Sequence, residues 1–443
     1  MKAFKIKNGL QASRYLLSST TISGSTIDLS LGSMFSTTLS SDPAYTFTNP
    51  PASGVAQAFS LEVAGGTTTF NNDSTFSTDL YTGTYYDEDG DKTTVNNGIN
   101  LSSDGGLVWL KSRSNTRRHM LFDTERGASV SLSSDTTGGN LTSDPLDSFT
   151  STGFITGDNY ETNEQGETYV SWTFKKQAKF FDIVTYTGTG VARNISHSLG
   201  SVPGMILVKR TNAAASWRVY HRGMDATSPQ NYFMGINLTT GLQASSFQWN
   251  DTAPTDTAFT VGTSGNVNGS GNEFIAYIFA HDTASDSRIK CGSYVGNGST
   301  AGPEINLGWS PQWVMIKRTD TDIADSWIIH DTVRGIVSGG ADPYLLASSS
   351  AAENSISVID VTSTGFKLTA GYGGWDGSGG NYIYMAIRGN ATTDSAITWP
   401  TSIKWPAGVA PTTPVPGKKD LFTFLTTDGG TTYYGKKAAE GIA

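Results

Sequence analysis

The 443-residue chain carries 50 glycines, with 16% charged and 11% aromatic residues. That length supports more than one hydrophobic core, and the aromatic content excludes a disordered low-complexity chain. A net charge of −9 and a pI near 5.1 argue against a nucleic-acid scaffold, which shows a basic face.

No apolar run approaches the roughly 18 residues of a membrane span, so no membrane insertion is expected. The one cysteine, Cys291, leaves no intrachain disulfide and fits folding in a reducing cytosol. The chain opens on "MKAFKIKNGLQASRYL", in which three lysines are followed by polar residues rather than by the apolar core of a secretory signal. Residues 1–17 are expected to form an attachment arm, ordered by a partner. Alternation in "TIDLSL", "YTFT" and "FSLEV" predicts strands, and "NPPASG" (Asn49–Gly54) is a turn by chemistry. About four strands arise here, too few to close a sandwich alone. The following "DEDGD" (Asp87–Asp91) has glycine at the fourth position of an EF-hand pattern, and Lys92 follows where that pattern needs glycine. It is expected to be an exposed acidic turn, with no metal bound.

From there a long-period repeat governs the chain. "GLVWLKSR", "GMILVKRT" and "QWVMIKRT" place Lys111, Lys209 and Lys317 at equivalent positions, each followed by an Arg-Gly turn ending at Gly127, Gly223 or Gly335. Each unit closes on an apolar, aromatic strand: "GETYVSWTF", "GNEFIAYIF" and "GNYIYMAI". Such runs predict strands buried on both faces or central in a sandwich. "FTSTGFITG" and "VTSTGFKLT" are a further shared marker, looser in the middle copy. The lysines are expected at solvated strand ends. The arginines are expected either to shape a turn with glycine at positive φ or to brace Asp123 and Asp331. His221 and His330 are expected at similar places, with Phe122 or Asp123 as their counterpart in the first copy.

After the repeats, "AITWPTSIKWPAGVAPTTP" introduces a different β pattern, and "DLFTFLTTDGGTTYYGKK" predicts a hairpin about "DGG". The expected architecture is all-β and multi-domain, with three tandem β-sandwich repeats inserted into a split N-/C-terminal β domain. The boundaries are 18–70 with 392–443 for the split domain, and 71–177, 178–283 and 284–391 for the repeats. Trp399 and Trp405 are expected to pack on the "YTFTNPPASG" and "FSLEV" strands.

Catalytic chemistry is not expected. The five histidines show no His-x-x-x-His spacing, no G-x-S-x-G elbow is present, and no cofactor is implied. The binding candidates are two loop clusters, Trp249, Asn250 and Asp251, and Tyr372, Trp375 and Asp376. An aromatic plate beside amide and carboxylate groups suits a carbohydrate. The alternative is that the tryptophans plug their own sandwiches or an intersubunit seam.

Two sets of motifs carry a resemblance. Residues Asp28–Gly32, Phe35, Ser41-Asp42, Thr46–Gly54, Phe59–Gly66, Thr398–Pro411 and Asp420–Gly435 resemble a framing module of virion proteins in marine tailed bacteriophages. The repeats resemble an uncharacterised β repeat of phage tail-fibre-like proteins, through "GLVW-K-R", "FDT-RG" and "STGF". The resemblance implies a virion protein, synthesised in the host cytoplasm and placed in the tail. It implies a tail fibre or receptor-binding spike, homotrimeric, joined to other virion proteins by its N-terminal arm and able to meet a host cell-surface glycan. The alternative is a head-decorating fibre or a tail component without receptor binding.

Overall fold

The computed structural model describes residues 92–143, 146–284, 287–320, 325–336 and 339–388, with segments 20–21, 26–28, 34–38, 46–48, 57–64, 80–86, 403–406, 419–426 and 432–442. The chain divides into two compact units, Met1–Asp73 with Thr392–Ala443, and Ser74–Ala391. The N-terminal arm, the "DEDGD" turn and Trp399 lie outside the described residues.

In the first unit the two ends of the chain share one sheet. Gln57–Ala64 runs antiparallel to Lys419–Thr426, from Gln57 opposite Thr426 to Ala64 opposite Lys419. The full strand order is Thr20–Thr21, Met34–Thr38, Gln57–Ala64, Lys419–Thr426, Tyr433–Ile442 and Ile403–Lys404. The N-terminal three are parallel to one another, while the last two long strands form the antiparallel hairpin expected from "DGG". Trp405 lies edge-on to Phe422 and Phe424, at 6.2 and 5.7 Å between centroids. A Cβ on Gly435 would stand 2.7 Å from its ring. The described packing of Trp405 is therefore on the returning hairpin, while the side chains of the "FSLEV" strand, on which it was also expected, lie outside those described.

In the second unit each repeat builds a sheet in which four strands recur in one order: opening, closing, lysine and turn strand. In the first repeat these are Leu80–Tyr86, Thr168–Lys175, Gly106–Ser112 and Met120–Asp123. In the second they are Phe181–Thr187, Glu273–Ala280, Pro203–Arg210 and Arg218–His221. In the third they are Ile289–Val295, Asn381–Arg388, Pro311–Arg318 and Ile328–Asp331. All neighbours are antiparallel, and the register is conserved: Lys111 faces Val170, Lys209 faces Ile275, and Lys317 faces Ile383.

A smaller sheet covers one face of each. It comprises Thr94–Asn96, Gly153–Ile155 and Ser148–Thr150 in the first repeat, Arg193–Ser196 and Ala258–Val261 in the second, and Glu304–Asn306, Gly365–Leu368 and Ile359–Thr362 in the third. The "STGF" marker belongs here. Its glycines allow a strand to approach closely: a Cβ on Gly153 or Gly365 would lie 2.0 or 1.8 Å from the Val95 or Ile305 carbonyl oxygen.

Period-two alternation sends each lysine strand's side chains to two interiors. Val108 and Leu110 enter the sandwich of the first repeat with Phe122 and Phe154. Val314 and Ile316 do the same in the third with Phe366 and Leu368. The other faces, including Trp109, Leu207 and Trp313, enter one core shared by all three repeats. Phe174 of the first repeat meets Phe279 of the second at 5.4 Å and Trp313 of the third at 6.0 Å. The closing strands are thus buried on both faces, as their sequence indicated, and the three sandwiches are fused by their inner sheets.

Candidate functional site

The three lysines were expected in solvent. Instead Lys111, Lys209 and Lys317 are all 0% exposed, at the ends of their strands' inner faces. Carbonyl oxygens hold them. Lys209 Nζ donates to Thr137, Arg210 and Ala215 at 2.8–3.1 Å. Lys317 donates to Thr239 and Arg318, and Lys111 to Ser112 and Asn115. Burial pulls each ammonium down to about 8. Thr137 belongs to the repeat before Lys209, and Thr239 to the repeat before Lys317, so these two lysines tie neighbouring repeats together.

Further contacts join each repeat to its neighbours and close a cycle. Trp217 Nε1 of the second repeat donates to Ser133 O of the first at 2.9 Å, and Trp327 Nε1 of the third to Gly235 O of the second at 2.9 Å. At the last joint, from third back to first, Ser134 Oγ donates to Ala347 O at 2.6 Å, and Glu353 N to Arg113 O at 2.9 Å. There the Arg113 guanidinium also grips the Glu353 carboxylate through two bonds of 2.7 and 3.0 Å, across 240 residues of sequence.

The Arg-Gly turns supply further clamps, in two copies only. Arg126 pairs with Asp123, and Tyr277 Oη of the second repeat donates to Asp123 Oδ2 at 2.8 Å. Arg334 pairs with Asp331, which accepts from Trp172 Nε1 of the first repeat at 3.1 Å, and the guanidinium lies 5.3 Å over that indole. Gly127 and Gly335 have φ of 91° and 118°, so both readings of these turns hold together.

The middle turn differs. It is two residues shorter, and the exposed Arg222 takes the backbone place of Thr124: their amides donate to the equivalent carbonyls of Gly204 and Gly106. The register also corrects the histidine alignment. His221 corresponds to Asp123 and Asp331, whereas His330 corresponds to Phe122 and Tyr220.

Both rings are fixed as neutral imidazoles. His221 Nδ1 accepts from Gly223 N, which leaves Nε2–H to donate to Tyr384 O of the third repeat at 3.0 Å. His330 Nε2 accepts from Trp375 Nε1 at 2.8 Å, which leaves Nδ1–H for Pro343 O. Burial lowers both to about 3.

At the joint between the second and third repeats a cavity of about 570 Å³ opens. Residues 223–226 and Leu242 form one wall, and 293–295, 319–320 and 381–382 form the other. The Leu242 amide donates to Thr319 O at 2.8 Å. Its counterparts by the same bond are Asn140, which also accepts from Arg126, and Glu353, which binds Arg113 and Arg334. The positions filled by guanidinium contacts at two joints therefore carry leucine at the third.

The six residues predicted to bind carbohydrate are not gathered into one site. Trp249 ends the helix Ser246–Trp249; it is 2% exposed, donates to Tyr232 O at 3.0 Å and meets Tyr220 edge-on. Asn250 and Asp251 are exposed and take left-handed φ of 53° and 49°, which ends the helix. Trp375 is 8% exposed, held between His330 and Tyr344. Asp376 is buried and accepts from Asn297 N at 2.7 Å. Tyr372, at 52%, alone keeps an open aromatic face. As plates for a sugar the tryptophans are therefore corrected to core residues. Small flanking residues made them look like loop aromatics, although each indole reaches back into a sandwich.

One repeated signal was missed. Tyr85, Tyr186 and Tyr294 of the opening strands stack on Tyr169, Phe274 and Tyr382 at 5.2, 5.3 and 5.0 Å. Their hydroxyls donate to Thr162, Val267 and Trp375 carbonyls. "TYYDEDG", "TYTGTG" and "SYVGNG" show the marker in the sequence.

No candidate metal cluster of histidine, cysteine and carboxylate occurs among the described residues, and no helix there is long and apolar enough to cross a membrane. No curated protein matches the chain. A family match spans residues 72–390, which contain all three repeats in their closed arrangement. The chain belongs to the family described as domain of unknown function DUF7483.

Proposed function

We propose that this chain is a structural protein of a bacteriophage virion, a tail fibre or receptor-binding spike that adheres to the host surface and carries out no catalysis. The observation that carries the structural part is the threefold recurrence of its buried cations. Lys111, Lys209 and Lys317 each spend their ammonium on carbonyl oxygens, two of them across a joint between repeats. A catalytic lysine is needed once and faces a cleft, whereas a strut recurs with the architecture. The placement on a phage rests on the framing motifs, which resemble those of virion proteins. The same reading takes the protein as a homotrimer, anchored to other virion proteins through residues 1–17.

Labelled antibody on intact virions tests the placement. Labelling of the tail is expected, and labelling of the capsid supports the head-decorating alternative instead. Native mass tests assembly, where a stable monomer contradicts the homotrimer. Deletion of residues 1–16 is expected to leave a soluble oligomer that fails to enter virions, and normal incorporation overturns the role of the arm.

A further inference from the structure

We propose that the cavity between the second and third repeats is a saccharide site that takes neutral or amino sugars and rejects acidic ones. The inference rests on the adhesion reading and adds a location and a ligand class to it.

The cavity is the place where the cyclic architecture departs from itself. At the first joint Arg126 spans Asp123, Asn140 and Tyr277. At the third, Arg113 and Arg334 converge on Glu353. At the second joint the turn is too short to hold the arginine, and Leu242 stands where Asn140 and Glu353 stand. The result is an open volume of about 570 Å³, within the size range of small-ligand pockets.

The polar atoms around it are chiefly acceptors. Asp225 uses Oδ1 on the Thr227 and Ser228 amides, at 2.8 and 2.7 Å, which holds its carboxyl below the usual carboxylate range. Its Oδ2 has no partner among the described residues. Asn381 donates Nδ2 to Asp320 at 3.0 Å, and its side-chain Oδ1 has no partner among the described residues. Ser293 is exposed on the opposite wall with its hydroxyl unused, and Asp320 is already neutralised by Arg318 at 2.7 Å. No lysine, arginine or histidine lines the cavity.

An acceptor-rich wall with one uncompensated carboxylate recognises a ligand that brings donors. Hydroxyl groups supply them, and an ammonium adds charge complementarity. A sugar carboxylate would face Asp225 with no cation to offset it. Leu242 and Met224 provide the apolar surface for the C–H faces of a ring.

Ligand-observed saturation-transfer NMR on the full chain tests this, with glucose, galactose, N-acetylglucosamine, glucosamine, glucuronate and galacturonate as probes. At least one neutral or amino sugar is expected to bind, and both uronates to give no signal. Ser293→Trp fills the cavity from an exposed position and is expected to weaken binding at least tenfold. Asp225→Asn is expected to weaken glucosamine more than glucose. Failure of every neutral and amino sugar, equal binding of a uronate, or binding that survives Ser293→Trp overturns the proposal. Adhesion to a host envelope fraction is measured in parallel. Wild-type adhesion that persists in Ser293→Trp leaves the adhesion reading standing and removes this cavity from it, whereas no wild-type adhesion sinks the adhesion reading itself.

Discussion

Lys209 faces no carboxylate; the charged groups bearing on it are Arg210 and Arg126, and it keeps its proton only through carbonyl dipoles. Replacing it with methionine relieves a buried cation but removes its bonds to Thr137 O, which keeps the Ala215 amide, and to Ala215 O. Hydrogen bonds made by a charged donor are worth roughly 1.5–3 kcal/mol, so Lys209→Met is expected to lower the unfolding free energy by about that much in urea. The sign of the alkaline limb follows from the lysines. Their folded pKa of about 8 lies below the ordinary 10.5, so between those values the unfolded chain holds more protons and stability rises with pH. Lys209→Met should flatten that rise.

The histidines govern the acid limb. His221 and His330 are neutral in the fold, with values near 3 against an ordinary 6.5. As pH falls below 6.5 the unfolded chain takes up protons that the folded chain refuses, so stability falls by about 1.4 kcal/mol per pH unit for each ring. A second proton on His330 would also oppose the Trp375 indole N–H. Urea midpoints measured from pH 7 to 4 should decline steeply, and a flat profile would contradict the neutral, doubly bonded rings.

The strands were partly legible in advance, and the reasons differ by element. The closing strands read as continuous apolar runs because they are central in their sheets and buried on both sides. The lysine strands misled because lysine is seldom buried as a residue type; only the register shows Lys111 on the same inner face as Leu107 and Trp109. The middle turn misled because "HRG" keeps the letters of the motif while losing the two residues that place the arginine. The cavity was invisible, since its walls come from segments about 50 to 160 residues apart whose meeting depends on the joint between repeats. The "STGF" strand was legible for a physical reason, its glycine. Gly365→Ala forces a Cβ into the 1.8 Å gap before the Ile305 carbonyl. It is expected to cost about 1–3 kcal/mol or more, read as a shift in thermal midpoint, while an exposed Gly265→Ala control, with open space for its Cβ, reports the effect of an added methyl without a clash.

At the scale of the whole molecule, the three repeats are interdependent. Phe174, Phe279 and Trp313 bring all three to one point, and every joint buries an indole or imidazole from a neighbour. A repeat released from the cycle would expose these groups to water. The closing strands Thr168–Lys175, Glu273–Ala280 and Asn381–Arg388 are therefore expected to lose hydrogen-exchange protection at a common urea concentration, and three staggered midpoints would show independent domains.

Closure of the cycle is tested most directly at its last joint, where Arg113 and Glu353 meet across 240 residues. In a double-mutant cycle of Arg113→Ala and Glu353→Ala on the full chain, the separate bond from Glu353 to Arg334 cancels and the pair's own coupling remains. A coupling of about 1–3 kcal/mol is expected. Strict additivity of the two substitutions would mean that the third repeat does not return to the first.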